Sequence, residues 1–147
     1  MTHTNEATPS GLRPEEVPHV DVLSAEESWA LVEKAPLGRL AVRAGEEIDI
    51  FPVNFLVREL SIYFRSAPGS KLVDIAHASA VAFEIDGHRG RTYWSVVVHG
   101  TAERLSYDSD IRDSGVLGLE TMTSSSKWNY VRITPRSITG RRFTVRH

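Results

Sequence analysis

The chain has 147 residues, 41% of them hydrophobic and 24% charged, which is the size and composition of one soluble globular domain. It contains no cysteine, so disulfides, zinc–thiolate sites, iron–sulfur clusters and thiol catalysis are excluded. The net charge of −2 is unevenly spread, at −5 over 1–47, −3 over 48–120 and +6 over 121–147; the balance is too acidic for a general nucleic-acid binder, while the basic end suits an anion such as a phosphate-bearing cofactor.

Residues 1–20 are rich in Thr, Pro, Glu and His and read as a mobile arm, which leaves 21–147 as the folded domain. No apolar run approaches the ~20 residues of a membrane span and no signal-peptide core is present, so a cytoplasmic location is expected. Ser24 and Glu27 have capping-box spacing, and Trp29, Val32 and Ala35 continue a helix that Pro36 and Gly38 stop. The period then changes to two. Leu40 and Val42 lie on a strand, and Ala44–Glu47 form a hairpin turn.

From Ile48 to Val57 the apolar phase slips by one residue at Pro52, the pattern a β-bulge produces. Such a bulge around Pro52, Val53, Asn54 and Phe55 leaves backbone groups able to meet a flat polar heterocycle; a bulge that protects an edge strand is the competing reading. Leu60 to Arg65 form a strand, and Leu72, Ile75 and Ala76 a helix. Val81–Ile85 is the next strand, Gly87–Arg91 a turn and Tyr93–Leu105 a long strand. A short helix over 108–117, a Ser/Thr-rich loop over 118–127 and strands over 128–134 and 137–145 complete the chain. The sum is a mainly β (α+β) fold: a six- to eight-stranded antiparallel split β-barrel with peripheral helices.

The segment Arg65-Ser66-x-x-Gly69-Ser70-Lys71 joins a strand to a helix, with Ser70 as N-cap and Lys71 in the first turn. A cation there is locally unfavourable unless an anion is bound, so Arg65, Ser66, Ser70 and Lys71 form a candidate phosphate cradle. An ordinary turn with solvated charges is the alternative. Trp94 and Ser95 offer an aromatic wall, although a strand tryptophan is usually part of the core or of an interface. Arg141 shares an apolar face with Phe143 and Val145 and needs a counter-ion, either a ligand phosphate or an acid such as Glu84. His77 sits late in its helix, where a positive charge suits the dipole, and His99, on a strand, faces a pocket or reads as a hydrogen-bonded structural residue. The six histidines lack metal-ligand spacing, and no G-x-S-x-G is present.

Taken in order, Pro52-Val53-Asn54-Phe55, Phe64-Arg65-Ser66-x-x-Gly69-Ser70-Lys71, Val81 to Asp86, Trp94-Ser95-Val96-x-Val98-x-Gly100 and Arg132 to Arg141 resemble the pyridoxamine 5′-phosphate oxidase-like flavoproteins over about residues 23–143. The resemblance implies an FMN-binding split barrel and a homodimer with two flavin sites at the subunit interface. It implies that Arg65, Ser66, Ser70 and Lys71 hold the phosphate and that Pro52 to Phe55 run along the isoalloxazine edge. Trp94 and Ser95 would contact the ring or ribityl chain, and Arg141 would reach the partner's site. The tryptophan and Arg-x-His pair of true pyridoxamine phosphate oxidases do not follow, so vitamin B6 oxidation is not expected. An FMN-dependent oxidoreductase is the leading expectation; a deazaflavin-dependent reductase or a non-catalytic flavin- or haem-binding module are its alternatives.

Overall fold

A computed structural model describes residues 19–67, 69–105 and 129–145. Most of the arm, the helix expected over 108–117 and the loop over 118–127 lie outside these residues. Eight strands and two helices follow in order: β1 (His19–Leu23), α1 (Ala25–Lys34), β2 (Gly38–Ala44), β3 (Glu47–Val53), β4 (Phe55–Arg58), β5 (Ser61–Ser66), α2 (Leu72–Ala76), β6 (Ser79–Arg89), β7 (Thr92–Arg104) and β8 (Asn129–Thr144). All eight strands belong to one antiparallel sheet with the order β3-β2-β6-β7-β8-β5-β4, and β1 pairs with β8. The expected mainly β, antiparallel barrel is therefore the observed fold. Among the described residues no helix is long and apolar enough to cross a membrane.

Closure follows from one residue. β3 and β4 are the two ends of the sheet path, yet only Asn54 separates them in sequence. The ends must meet there, so the sheet curls round on itself. This corrects the bulge expected at Pro52. Pro52 pairs in register with Arg39, and the ladder from Gly38↔Val53 to Ala44↔Glu47 is unbroken. The phase slip marks the chain leaving one edge of the sheet for the other. Pro52 is tolerated because β3 pairs only with β2, so a missing N–H removes no second ladder.

The register shift lies instead between β7 and β8, where His99 faces Ser137 and Gly100 faces Pro135. Arg136 is the extra residue, and the proline that seemed to divide two strands sits in the bulge of a single 16-residue one. β8 is long enough to pair with β5 over Asn129–Ile133 and with β1 over Gly140–Thr144. β1 takes in His19 and Val20, which the sequence placed in the arm. β6 likewise runs on to Arg89, past the start of the expected turn.

Alternating residues of these strands fill the barrel. Leu40, Val42, Ile62, Phe64, Phe83, Ile85, Val96, Val98, Val131 and Ile133 are fully or almost fully buried, each contributing on the order of 1.5–3 kcal/mol of apolar burial. The capping box forms as expected: Glu27 N–H donates to Ser24 Oγ and Ser24 N–H to Glu27 Oε1, both at 3.0 Å. The helix so started seats Val32 in the core and buried Ser28 against β8.

Candidate functional site

At one end of the barrel the topology gathers three separate segments. β4 pairs with β5 so that Phe55 faces Phe64, which sets the Asn54 corner beside the Arg65–Ser66 end of β5. Asn54 belongs to neither flanking ladder and is exposed, so its main-chain groups and its amide are open to a ligand. Arg65 is half-buried and lies opposite Tyr130, while Ser66 is buried opposite Asn129. Three to five residues on, Gly69 turns the chain through φ +82° and brings in Ser70 and Lys71.

The cap of α2 differs from expectation. Lys71 is itself the N-cap residue, with helical dihedrals and no side-chain cap bond, while Ser70 Oγ accepts the Leu72 N–H at 3.2 Å. The five-residue helix is too short for its dipole to dominate, so the cationic character of this end comes from Arg65 and the exposed Lys71. A wider polar rim was not legible in the sequence: Arg104 Nη2 donates to Asn129 Oδ1 at 2.7 Å, and the Arg104 N–H donates to His77 Nδ1 at 3.1 Å. His77 thus serves as an acceptor at Nδ1, not as the helix-end cation expected.

Trp94, Ser95 and Arg141 lie elsewhere. Ser95 faces Arg141 in the ladder near the far end of β8 from Asn129, which is roughly 50 Å long along its path at ~3.3 Å per residue. Consecutive strand residues point to opposite faces, so Trp94 and Ser95 cannot present their side chains to one surface. Ser95 and Arg141 lie on the outer face, the same face as Arg65 and Tyr130. Trp94 instead shares the opposite face with Arg142 and lines a cleft beside the end of α1.

Glu84 is not the counter-ion of Arg141. It accepts from Arg39 Nη1 at 2.8 Å, and Asp86 accepts from the same atom at 3.2 Å; these bonds to Asp86 and Glu84 raise the Arg39 guanidinium further above its already high value. Across the outer face, burial pulls the Arg132 guanidinium down, but hydrogen bonding to Glu103 and Tyr63 outweighs it and leaves a net upward shift. His99 is exposed in a shallow apolar hollow, with no hydrogen bond among the described residues, so the expected structural bond is absent. Among the described residues no three His, Asp or Glu side chains converge as metal ligands would.

One end of the barrel therefore offers main-chain polar groups at the Asn54 corner, the cations Arg65 and Lys71 and, on the inner face of β5, the buried Ser66 hydroxyl, while the outer face at the other end offers the Arg141–Ser95 pair. Known proteins share this fold. A solved Corynebacterium glutamicum structure, described provisionally as a pyridoxamine 5′-phosphate oxidase, is 40% identical with a TM-score of 0.78, covering 87% of this chain and 96% of its own. The FAD binding protein from Mycobacterium smegmatis is 37% identical with a TM-score of 0.78, covering 86% of this chain and 100% of its own. An FAD-binding protein from Mesorhizobium loti is 26% identical with a TM-score of 0.75, covering 87% and 99%. The family model described as pyridoxamine 5′-phosphate oxidase matches residues 24–142, and the chain belongs to the pyridoxamine 5′-phosphate oxidase-like family.

Proposed function

We propose that this chain is a flavin-binding oxidoreductase whose sites are shared between two copies. The observation that carries the reading is the meeting of the Asn54 corner with Arg65, Ser66, Ser70 and Lys71 at one end of the barrel. A flavin mononucleotide unit needs what that end offers: main-chain donors and acceptors along a flat ring edge, and cations with hydroxyls for a phosphate. The FAD-binding relatives support a flavin, and FMN is the smallest ligand that carries ring, ribityl chain and phosphate. Bound there, a flavin supplies two-electron hydride chemistry, and the protein's part is binding, orientation and exclusion of water.

Pro52–Phe55 would hold the ring edge, Asn54 through its backbone and amide. Arg65 and Lys71 would bind the phosphate, with Ser70 contributing a hydroxyl; the Ser66 side chain alternates with Arg65 to the inner face, so of the sequence-predicted cradle it is the member that would not reach the ligand from the outer face. Sharing between copies is supported by the same outer face: Arg65 stands at one end of it, Ser95 and Arg141 at the other. Two copies packed outer face to outer face about a two-fold axis would bring the two ends together, as an isologous dimer requires. Trp94, pointing the other way, is not assigned to the ring.

The test is the absorbance spectrum of purified protein after FMN or FAD is added and gel filtration removes the excess. Retained flavin bands are expected, with Arg65→Ala and Lys71→Ala each weakening FMN binding by about 1.5–3 kcal/mol. Unchanged affinity in both variants removes the phosphate assignment. A colourless protein that takes up a deazaflavin, or one with a Soret band after haem is added, would move the reading to those ligands.

A further inference from the structure

The cleft between the end of α1 and the β6–β7 hairpin encloses about 570 Å³, a volume typical of small-molecule sites. Lys34 from the last turn of α1, Arg89 from the end of β6 and Arg142 from β8 all line it. Among the described residues none of the three forms an ion pair; Glu27 feels the charge of Arg142 without bonding it. The acid on the wall, Asp86, is already held by Arg39 at 3.2 Å. Three full positive charges outweigh the partial negative charge of the helix end, roughly half a unit. The cleft is built for an anion.

It is also built for a flat ring. Trp94 forms one wall, and its indole lies so close to β6 that a Cβ on Gly87 would come within 2.8 Å of it. A side chain at position 87 would displace the indole from that seat. Stacking of a heterocyclic base on such a ring is worth about 1–3 kcal/mol. Two arginines supply fork-shaped donors matched to phosphate oxygens, and Lys34 adds a point charge. Ala35 also lines a second hollow of about 470 Å³, whose other lining residues are Glu33 and Phe55–Val57. Phe55 follows Asn54 directly in the chain.

We propose that this cleft binds an adenosine diphosphate group, the part common to nicotinamide dinucleotides and FAD, with the adenine on Trp94 and the diphosphate on Lys34, Arg89 and Arg142. Its place beside the reacting ring rests on the flavin reading above; the binding itself does not. A dinucleotide seated with this end in the cleft would extend along the second hollow towards the corner.

The experiment is a calorimetric titration of the full chain with ADP, alongside FMN and FAD titrations and, if turnover is found, the KM for NADH and NADPH. Circular dichroism confirms that each variant is folded. ADP binding is expected, weakened at least about tenfold by Arg142→Gln and by Trp94→Leu, and unchanged by Arg136→Gln on a different part of the surface. If the same variants weaken FAD but not FMN, the adenylate is that of the flavin. If both flavins bind as before and the dinucleotide KM rises, it is that of the hydride donor. Absence of ADP binding at millimolar concentration, or equal binding in all variants, overturns the proposal while leaving the FMN titration to judge the flavin site. ADP binding that depends on Arg142 in a protein that takes up no flavin would uphold the cleft and overturn the flavin reading alone.

Discussion

Gly38→Ala tests how tightly the barrel closes at the candidate site. An added Cβ at position 38 would lie 2.2 Å from Phe83 Cζ and 2.4 Å from Cε1, whereas carbon atoms in contact settle at about 3.5–4.0 Å. Phe83 must therefore retreat by roughly 1.5 Å, and it is completely buried. Its ring meets Phe55 edge to face, with centroids 4.9 Å apart, so the displacement passes to the residue that follows Asn54. Overpacking of this kind costs about 1–3 kcal/mol. Alanine also restricts the unfolded chain, which returns about 0.4–1 kcal/mol, for a net loss of about 1–2 kcal/mol. The melting temperature should fall by roughly 3–8 °C, with a matching drop in the urea midpoint. Phe83→Leu in the same chain should recover part of the loss, because the smaller side chain clears the new methyl group; a double-mutant cycle reads that coupling. A Gly38→Ala protein as stable as wild type, or losses that simply add, would refute the packing argument.

The β4–β5 turn places Glu59 at φ 50° and Leu60 at φ 58°, a turn that favours Asn-Gly; since Leu60 is largely exposed, Leu60→Gly should stabilise by about 0.5–1 kcal/mol, and a lower urea midpoint would contradict this. The Ser24 backbone N–H, with the Ser24 hydroxyl, holds the Glu27 carboxyl below its ordinary value. A depressed acid stabilises at pH above its unfolded value and loses that contribution as pH falls through the folded one, so wild type should lose stability relative to Glu27→Gln as pH drops through the carboxylate range; a gap that ignores pH would refute it. Mixing Arg65→Ala subunits with Arg141→Ala subunits should restore about a quarter of the flavin sites if each site draws on both copies, since every mixed dimer then has one intact site; no recovery would place the two arginines in one copy's site or in none.

Local pattern was legible in the sequence wherever a short stretch decides its own structure. The capping box at Ser24 and Glu27, the turn at Gly45 and the inward alternation of Val81, Phe83 and Ile85 needed only neighbouring residues. The phase slip at Pro52 was legible too, and a break near Pro135 reads as the gap between two strands, but the cause of neither was legible. Pro52 marks a crossing between sheet edges, and Pro135 marks a bulge. Both produce the same one-residue offset in the pattern, because the offset records only which face each side chain takes. Partner strands decide between them: Pro52 lies opposite Arg39, 13 residues back, and Pro135 opposite Gly100, 35 residues back.

The same limit separated the right residue types from the right groupings. The arginine and serine that end β5 and the serine and lysine that follow it were chosen from their own stretch, and they do share one end of the barrel. Trp94 and Ser95 were joined because they are adjacent, although adjacency on a strand is what sends two side chains to opposite faces. Arg141 was preferred to Arg142 because it alternates with Phe143, and that alternation does place it outside, opposite Ser95. What the alternation could not reveal is that the other face also ends in a cleft, since α1 packs there from a hundred residues away. Lys34, Arg89 and Arg142 are far apart in sequence and carry no shared motif; only the folded chain makes them neighbours. A binding reading drawn from motifs alone therefore recovers the end of the barrel where ligand-contacting residues are contiguous. It misses the end where they are assembled from a helix, a hairpin and the last strand.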